Sequence, residues 1–141
     1  MRAVVSRVTS ATVRVDGEVV GEIATGLLVL LGIAPTDSAA NVATIVRKIA
    51  DLRIMRDDQA VTDIDGAGVL VVSQFTLYGD TRKGRRPSWS AAAPGPLAQP
   101  LVDAVVAGLR DRGLQVETGT FGAMMAVESV NDGPMTLLLE A

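Results

Sequence analysis

Polar side chains that could act on a ligand directly follow a strongly apolar segment in the middle of the chain. Residues 69–72 are Val-Leu-Val-Val, and Ser73, Gln74 and Thr76 come next. An apolar run of this kind is typical of a central strand covered on both faces, so we predict a strand over 69–78. Its polar end would lie at the rim of the core, where hydroxyl and amide groups need hydrogen-bond partners. Either a ligand or neighbouring backbone groups could provide them.

The chemistry of such a site is limited by two residue types that the chain lacks. With no Cys and no His, it has no thiolate nucleophile, no Ser-His-Asp triad, and no cysteine or imidazole metal ligand. Carboxylates could still bind Mg²⁺, and four of them lie in a turn-like region: Asp57, Asp58, Asp63 and Asp65. They lack the spacing of a calcium-binding loop, and we interpret them as solvated charge. We therefore predict neither a metal nor another cofactor.

A basic cluster follows the polar strand end. Its members are Arg82, Lys83, Arg85 and Arg86. Such a cluster is most often a solvated loop, but its position beside potential ligand groups favours contact with phosphate. The formal net charge of −3 argues against a general nucleic-acid coat protein. Trp89 lies in the same segment and either anchors the loop to the body or stacks on a nucleobase; we prefer the anchor.

The elements that must position these residues fit one domain. Apolar residues make up 48% of the 141 residues and aromatic residues only 3%, so the core must be aliphatic. Strands are predicted at 2–9, 11–15, 18–23, 26–33, 52–55, 69–78, 114–118, 121–130 and 135–140, and helices at 38–51 and 97–112. The segment 56–68 receives no assignment. We therefore expect a single α+β domain over residues 1–141, with a mostly antiparallel, barrel-like β core and two covering helices.

The chain shows no targeting signal. Residues 1–7 lack the apolar stretch of a signal peptide, and no apolar run approaches the ~20 residues of a membrane span. We therefore expect a cytoplasmic protein.

A second candidate for chemistry is the tetrapeptide Asn131-Asp132-Gly133-Pro134. Asn-Asp-Gly alone is a common turn and could be a simple hairpin connection. The Gly-Pro bond adds another possibility, because X-Pro bonds can be cis at modest cost, although most are trans. Such a bond fixes the direction of its carbonyl groups.

Several segments together closely resemble the bacterial D-aminoacyl-tRNA deacylase family. They are Ser-Gln-Phe-Thr-Leu-Tyr at 73–78, the basic segment 80–88, Thr-Gly-Thr-Phe-Gly-Ala at 118–123, and Asn-Asp-Gly-Pro-Met-Thr at 131–136. The resemblance extends over essentially the whole chain, beginning with residues 1–5 and 15–18. Long motifs in the right order make the match specific, whereas a single Gly-Pro or Ser-Gln would not.

The resemblance implies an enzyme that hydrolyses the ester bond of D-aminoacyl-tRNA, with tRNA as partner and a homodimer as its assembly. Each of two equivalent sites would combine the segment at Ser73, Gln74, Phe75 and Thr76 of one subunit with the Gly-Pro loop of the other. The Gly-Pro bond would be cis, and its carbonyls would bind the substrate ammonium group and occupy the space that an L side chain needs. Because glycine has no side chain to exclude, glycyl-tRNA(Ala) would also be accepted.

The resemblance also implies roles for individual residues. Gly133, Pro134 and Arg7 would carry out chiral selection, although Arg7 is otherwise an ordinary strand residue facing solvent. Phe121 and Met125 would line the substrate pocket, although such residues are more often plain core. Arg82, Lys83, Arg85 and Arg86 would contact tRNA phosphates.

The resemblance implies catalysis by an attacking water that the 2′-hydroxyl of the terminal adenosine helps to activate. Backbone groups around Phe75 and Thr76 would stabilise the developing charge. The competing hypothesis makes Thr76 a covalent nucleophile, but no base lies nearby in the sequence.

Two departures from the family pattern are visible. Residues 59–63 form a shorter segment than that of many members, and Met135 stands where Val is common. We expect fold and reaction to survive both. The alternative to an enzyme is a non-catalytic, dimeric RNA-binding or scaffold protein. A general esterase is disfavoured, because the chain has no Gly-x-Ser-x-Gly motif and no His.

Overall fold

Aliphatic and β-branched segments form six strands in the computed structural model of residues 1–141, with one helix between the third and fourth strands and another between the fourth and fifth. The strands are β1 (Arg2–Val15), β2 (Glu18–Ile23), β3 (Gly26–Gly32), β4 (Gly68–Ser73), β5 (Gln115–Thr118) and β6 (Ala126–Glu140). The helices are α1 (Ala39–Asp51) and α2 (Gly95–Asp111), and short 3-10 segments cover Arg56–Asp58, Val61–Asp63 and Phe75–Tyr78. No helix combines the length and hydrophobicity needed to cross a membrane.

All six strands belong to one sheet, in which β1 pairs with three other strands. The order is β2-β1-β3-β4-β5, and β6 pairs with β1. The pairings of β1 with β2, β3 and β6 are antiparallel, whereas β3 with β4 and β4 with β5 are parallel. The sheet is therefore mixed, with parallel pairings that the expectation of a mostly antiparallel core did not specify.

The sheet curls until its two end strands approach each other. At Gly21 of β2, a Cβ atom would lie 2.4 Å from the carbonyl oxygen of Thr118 in β5. This approach nearly closes a barrel. The expected α+β domain with a barrel-like core and two covering helices is thus confirmed.

Both helices cover the sheet through apolar stripes with helical spacing. The stripe on α1 includes Ile45 and Ile49, and that on α2 includes Val105 and Leu109; all four side chains are fully buried. They pack against β3 and β4 in the main core, while a second cluster inside the barrel contains residues such as Leu70. Strand β4 is therefore covered on both faces, as its apolar run predicts.

The predicted strand over 69–78 ends earlier than expected. Strand β4 stops at Ser73, and Phe75–Tyr78 forms a 3-10 helix. The reversal begins where the Gln74 N–H donates to the carbonyl of Leu31, at 2.7 Å, and Leu77 N–H then donates back to Gln74. Alternation over 73–78 was therefore the wrong description, and the 3-10 helix sets the directions of these side chains.

Other predicted boundaries also differ. Strand β1 is continuous through residue 10, and β6 is continuous through the Asn-Asp-Gly-Pro segment. The register between the two strands shifts here, with Thr136 opposite Ser6 and Asn131 opposite Val8. The segment 52–55 is not a strand, since Met55 N–H bonds to Gln59 in a local turn. Helix α2 begins at Gly95, which places Pro100 inside the helix rather than in its first turn.

Candidate active site

The end of β4 opens on a mostly apolar cavity of about 390 Å³. Four of the residues predicted to form the site line it: Ser73, Phe75, Phe121 and Met125. The start of α2 and Trp89 complete the wall. Residues from three distant parts of the chain thus meet in one cavity, and its volume lies within the range of about 300–1,000 Å³ that is usual for small-ligand pockets.

The chain turns sharply at the mouth of this cavity. Phe75 and Thr76 are the first residues of the 3-10 helix and are exposed. Their N–H groups therefore have no acceptor within that helix, as at every helix start. The side-chain amide of Gln74 donates to the Thr76 hydroxyl oxygen at 2.8 Å. The segment thus presents backbone donors beside an apolar pocket, an arrangement able to stabilise negative charge on an oxygen.

Trp89 holds the basic loop to the body. Its ring meets Phe75 edge-on, with centroids 5.3 Å apart and planes at 84°. It also lies against Gly79, where a Cβ atom would come within 2.7 Å of the indole ring. Trp89 thus makes the packing contacts that the anchor interpretation predicts, although it is 42% exposed, and it also lines the cavity.

The Gly133-Pro134 segment lies within β6, and its peptide bond is cis. Arg7 holds it from β1: its Nε donates to the carbonyl of Asp132 at 3.0 Å, and its Nη1 donates to the carbonyl of Ile54 at 3.0 Å. The Arg7 side chain is only 12% exposed. The interpretation of Arg7 as an ordinary solvent-facing strand residue is therefore wrong.

Glycine is required at position 133 for two reasons. Its φ angle is +126°, a region that L side chains rarely adopt. A Cβ atom there would also lie 2.7 Å from Nη2 of Arg7. The loop is further closed by Asn131, whose Oδ1 accepts from the N–H of Met135 at 3.1 Å. The side chain of Met135 packs against the main core.

Arg56, from the 3-10 segment Arg56–Asp58, is a second cation that contacts this loop. It was not among the residues predicted from the sequence. Its Nε donates to Oδ2 of Asp132 at 2.9 Å, and its Nη2 donates to Oδ1 at 2.5 Å. This bidentate bond, helped by the charges of Arg56 and Arg7, lowers the pKa of Asp132 although desolvation acts in the opposite direction. No periodic pattern around Arg56 could have indicated the contact, since its segment carries no clear helix or strand signal.

Within one chain, the loop and the cavity are separate. Neither Gly133 nor Pro134 lines the cavity at the end of β4. The structure therefore brings Ser73, Phe75, Phe121 and Met125 together but does not add the Gly-Pro segment to them.

The basic cluster lies beside a polar cavity of about 460 Å³, lined by Asp80, Arg82, Lys83, Arg86 and Ser88. Arg82 is paired, because its Nε and Nη2 donate to Asp80 at 2.9 and 2.7 Å. These bonds hold the pKa of Asp80 below its usual value. Lys83 and Arg86 are exposed and form no ion pair within the chain, and the same is true of Arg85, which does not line this cavity.

The acidic segment after Arg56 does not gather into a metal-binding group of carboxylates. The shortened part at 59–63 packs onto the body instead. Val61 is fully buried, and the Asp63 carboxylate accepts from the N–H of Ala60 at 2.8 Å.

Comparison with known proteins decides the family. A family model described as D-Tyr-tRNA(Tyr) deacylase matches residues 4–140. The chain belongs to this family. The D-aminoacyl-tRNA deacylase of Beutenbergia cavernae is 63% identical over 142 residues, and that of Kineococcus radiotolerans is 66% identical over 142 residues; each match covers 100% of both chains. The deacylase family therefore accounts for the whole length of this chain.

Two solved structures share the fold of this chain. A c-Myc DNA unwinding element binding protein has a TM-score of 0.91 and 39% identity, covering 100% of this chain and 99% of its own. A probable eukaryotic D-amino acid tRNA deacylase has a TM-score of 0.86 at 17% identity, covering 99% and 98%. The second likeness shows the shared fold alone.

Proposed function

We propose that this chain hydrolyses the ester bond of D-aminoacyl-tRNA, releasing the free D-amino acid and tRNA. The observation that carries the proposal is the cavity at the end of β4, where Ser73, Phe75, Phe121 and Met125 meet in a member of the D-Tyr-tRNA(Tyr) deacylase family. The relatives that match this chain over its full length are named for the same reaction. The cytoplasm, where tRNA is charged, is the expected place of action.

Catalysis in this proposal needs no protein base. An aminoacyl ester is an activated electrophile, so positioning and stabilisation of the developing oxyanion supply much of the rate. In this proposal the N–H groups of Phe75 and Thr76 donate to that oxyanion at the cavity mouth. The 2′-hydroxyl of the terminal adenosine helps to activate the attacking water. Ser73 and Gln74 position this segment and the bound substrate relative to each other.

Chiral selection in this proposal belongs to Gly133 and Pro134, with Arg7 holding their loop. The loop carbonyls bind the substrate ammonium group and fill the volume that an L side chain would enter. A wrong substrate is thus rejected by a clash and by lost hydrogen bonds, which discriminates better than attraction to a small side chain. Glycine brings no side chain to clash, so glycyl-tRNA(Ala) is accepted as well.

The loop reaches the cavity of a second copy of the chain in a homodimer. Three observations support this arrangement. The Gly-Pro loop does not line its own cavity, and β6, which carries it, pairs only with β1 and leaves its other edge free. Strand β6 also exposes large apolar side chains at Val127, Val130 and Leu138. Exposed apolar groups beside a free strand edge favour burial against a partner.

The basic cluster binds the phosphates of tRNA in this proposal. Lys83, Arg85 and Arg86 are the main candidates, because no carboxylate of the chain neutralises them. Arg82 contributes less while it is paired with Asp80.

The alternative is a dimeric nucleic-acid-binding protein without catalysis. It is kept because one similar solved structure is described as a DNA unwinding element binding protein. Hydrolysis separates the two candidates. D-tyrosyl-tRNA and L-tyrosyl-tRNA are incubated with the protein, and spontaneous hydrolysis without protein is the control. We expect rapid release of D-tyrosine, with L-tyrosyl-tRNA decaying only slightly faster than the spontaneous rate. Cleavage of neither ester would support the alternative, and equal cleavage of both would overturn chiral selection.

A further inference from the structure

Asp132, the residue directly before Gly133, is held by two arginines from different parts of the chain. Arg7 of β1 donates to its main-chain carbonyl at 3.0 Å and lies 3.2 Å from its carboxylate. Arg56 binds the carboxylate with both arms of its guanidinium, at 2.9 and 2.5 Å. The Gly133-Pro134 loop therefore has one anchor on its backbone and a second on the side chain that precedes it.

The second anchor comes from a turn that is itself well fixed. Met55, which precedes Arg56, is buried, and its N–H donates to the carbonyl of Gln59 at 3.0 Å. The turn between them places Asp57 and Asp58 in the left-handed region, with φ angles of 58° and 55°. Two consecutive non-glycine residues in this region cost free energy, so the surrounding contacts must maintain the turn. Arg56 thus extends from a defined position.

The two ends of the ion pair differ in exposure. The Asp132 side chain is 15% exposed, whereas the Arg56 side chain is 70% exposed. Arg56 is therefore mostly in solvent, while the Arg7 side chain, at 12%, is largely buried. Asp132 is thus held by one exposed and one largely buried guanidinium.

We propose that Arg56 is a positioning residue for chiral selection: it fixes the orientation of the Gly133-Pro134 loop through its bidentate bond to Asp132. The inference rests on the proposed function, in which this loop excludes L substrates. A bidentate guanidinium-carboxylate bond fixes the angle of the carboxylate as well as its distance. Without Arg56, Asp132 keeps only Arg7 as a side-chain partner, and the backbone from Asp132 to Pro134 is oriented less firmly, although the bond between Met135 N–H and Asn131 still closes the loop. The loop then excludes the L side chain less completely.

The test compares Arg56→Ala and Arg56→Lys with a control from the same turn, Arg53→Ala. Arg53 forms an exposed ion pair with Asp58 at 3.2 Å and has no hydrogen bond or ion pair with the loop. The measurements are kcat/KM for D-tyrosyl-tRNA and L-tyrosyl-tRNA, together with Tm. We expect Arg56→Ala to lower the ratio of D to L by about tenfold, since small misplacements of a site have effects of this size or larger. Arg56→Lys keeps the positive charge but lacks the planar guanidinium that makes two hydrogen bonds, so it should retain only part of the wild-type D-to-L ratio. Arg53→Ala should leave that ratio unchanged.

The inference is overturned if Arg56→Ala leaves the ratio unchanged, or if kcat/KM falls equally for both substrates as Tm falls. Arg7→Ala, measured in parallel, separates this failure from failure of the proposed function. If the D-to-L ratio of kcat/KM changes in Arg7→Ala but not in Arg56→Ala, the positioning role of Arg56 is rejected and the proposed function is not. A wild-type protein that does not distinguish D from L would remove the function on which the inference rests.

Discussion

The side-chain amide of Gln74 donates a hydrogen bond to the hydroxyl oxygen of Thr76, with 2.8 Å between the heavy atoms. An amide is not a base at neutral pH, and the chain has no His to take the place of one. The Thr76 hydroxyl is therefore held in place but not activated for attack. This contact favours the water mechanism over a covalent intermediate.

Thr76→Ala should consequently keep kcat for D-tyrosyl-tRNA within about tenfold of wild type, because the backbone N–H of residue 76 remains. The measurement is single-turnover hydrolysis with protein in excess. A loss of a thousandfold or more, or an acyl-enzyme trapped by acid quench, would instead establish a nucleophilic role.

Gly133→Ala should disturb the loop rather than the fold. The new Cβ would lie 2.7 Å from Nη2 of Arg7, and φ at this position is +126°. We expect the ratio of kcat/KM for D and L substrates to fall, because Arg7 or the loop must move. The matched control is Gly17→Ala, where φ is also positive, at +84°, but nothing lies within 4 Å of the new Cβ. Gly17→Ala should leave the ratio unchanged, and equal effects of the two variants would refute the steric explanation.

The ion pairs of Asp132 should make stability depend on pH in the acid range. The hydrogen bond from Arg56 lowers the pKa of Asp132 below its ordinary value of 3.8. A carboxyl group whose pKa is lower in the folded state stabilises the fold above the unfolded value, and this contribution is lost as pH falls through the folded value. Asp132→Asn should therefore lower Tm at pH 6, and the difference from wild type should shrink as pH falls below about 4. A difference in Tm that stays constant from pH 6 to pH 3 would contradict this assignment.

The affinity for tRNA should fall as the salt concentration rises, and the residues of the basic cluster should contribute unequally to this dependence. Each phosphate contact contributes about 0.7 to 0.9 to the slope of log K against log salt concentration. Lys83→Ala and Arg86→Ala should each reduce the slope by about this amount, because neither side chain has an acidic partner in the chain. Arg82→Ala is the internal comparison and should have a smaller effect, since Asp80 already neutralises Arg82. Equal slopes for wild type and all three variants would place the phosphate contacts elsewhere.

The sequence predicted the central strand at 69–72 because a continuous apolar run must be covered on both faces. It did not predict where that strand ends. The residues Phe75 to Tyr78 alternate in a way that fits a strand, and the 3-10 helix is imposed by tertiary contacts. Gln74 bonds to Leu31, and Gly32 leaves so little room that a Cβ there would lie 3.1 Å from Gln74 and from Leu77. Such contacts are invisible to local periodicity.

Local periodicity also could not predict which residues of the candidate site meet. The meeting of Ser73, Phe75, Phe121 and Met125 followed from resemblance to a family, since residue types alone do not bring distant segments together. Neither local periodicity nor the resemblance to a family indicated Arg56, because its partner Asp132 is 76 positions away and its own segment has no regular pattern.

Strands β1 and β6 are paired from Arg2 opposite Glu140 to Arg14 opposite Ala126. On the ribosome, which releases the chain from its N-terminal end, the first strand to emerge must therefore wait for the last. Until residues 126–140 have been synthesised, β1 can pair with β2 and β3 but keeps an open edge along its whole length. Such long-range closure is slow and leaves strand edges available to other chains. The pairing of β1 with β6 is thus completed only after translation of residues 126–140, which include Gly133 and Pro134, so a chain that lacks them leaves β1 without this partner.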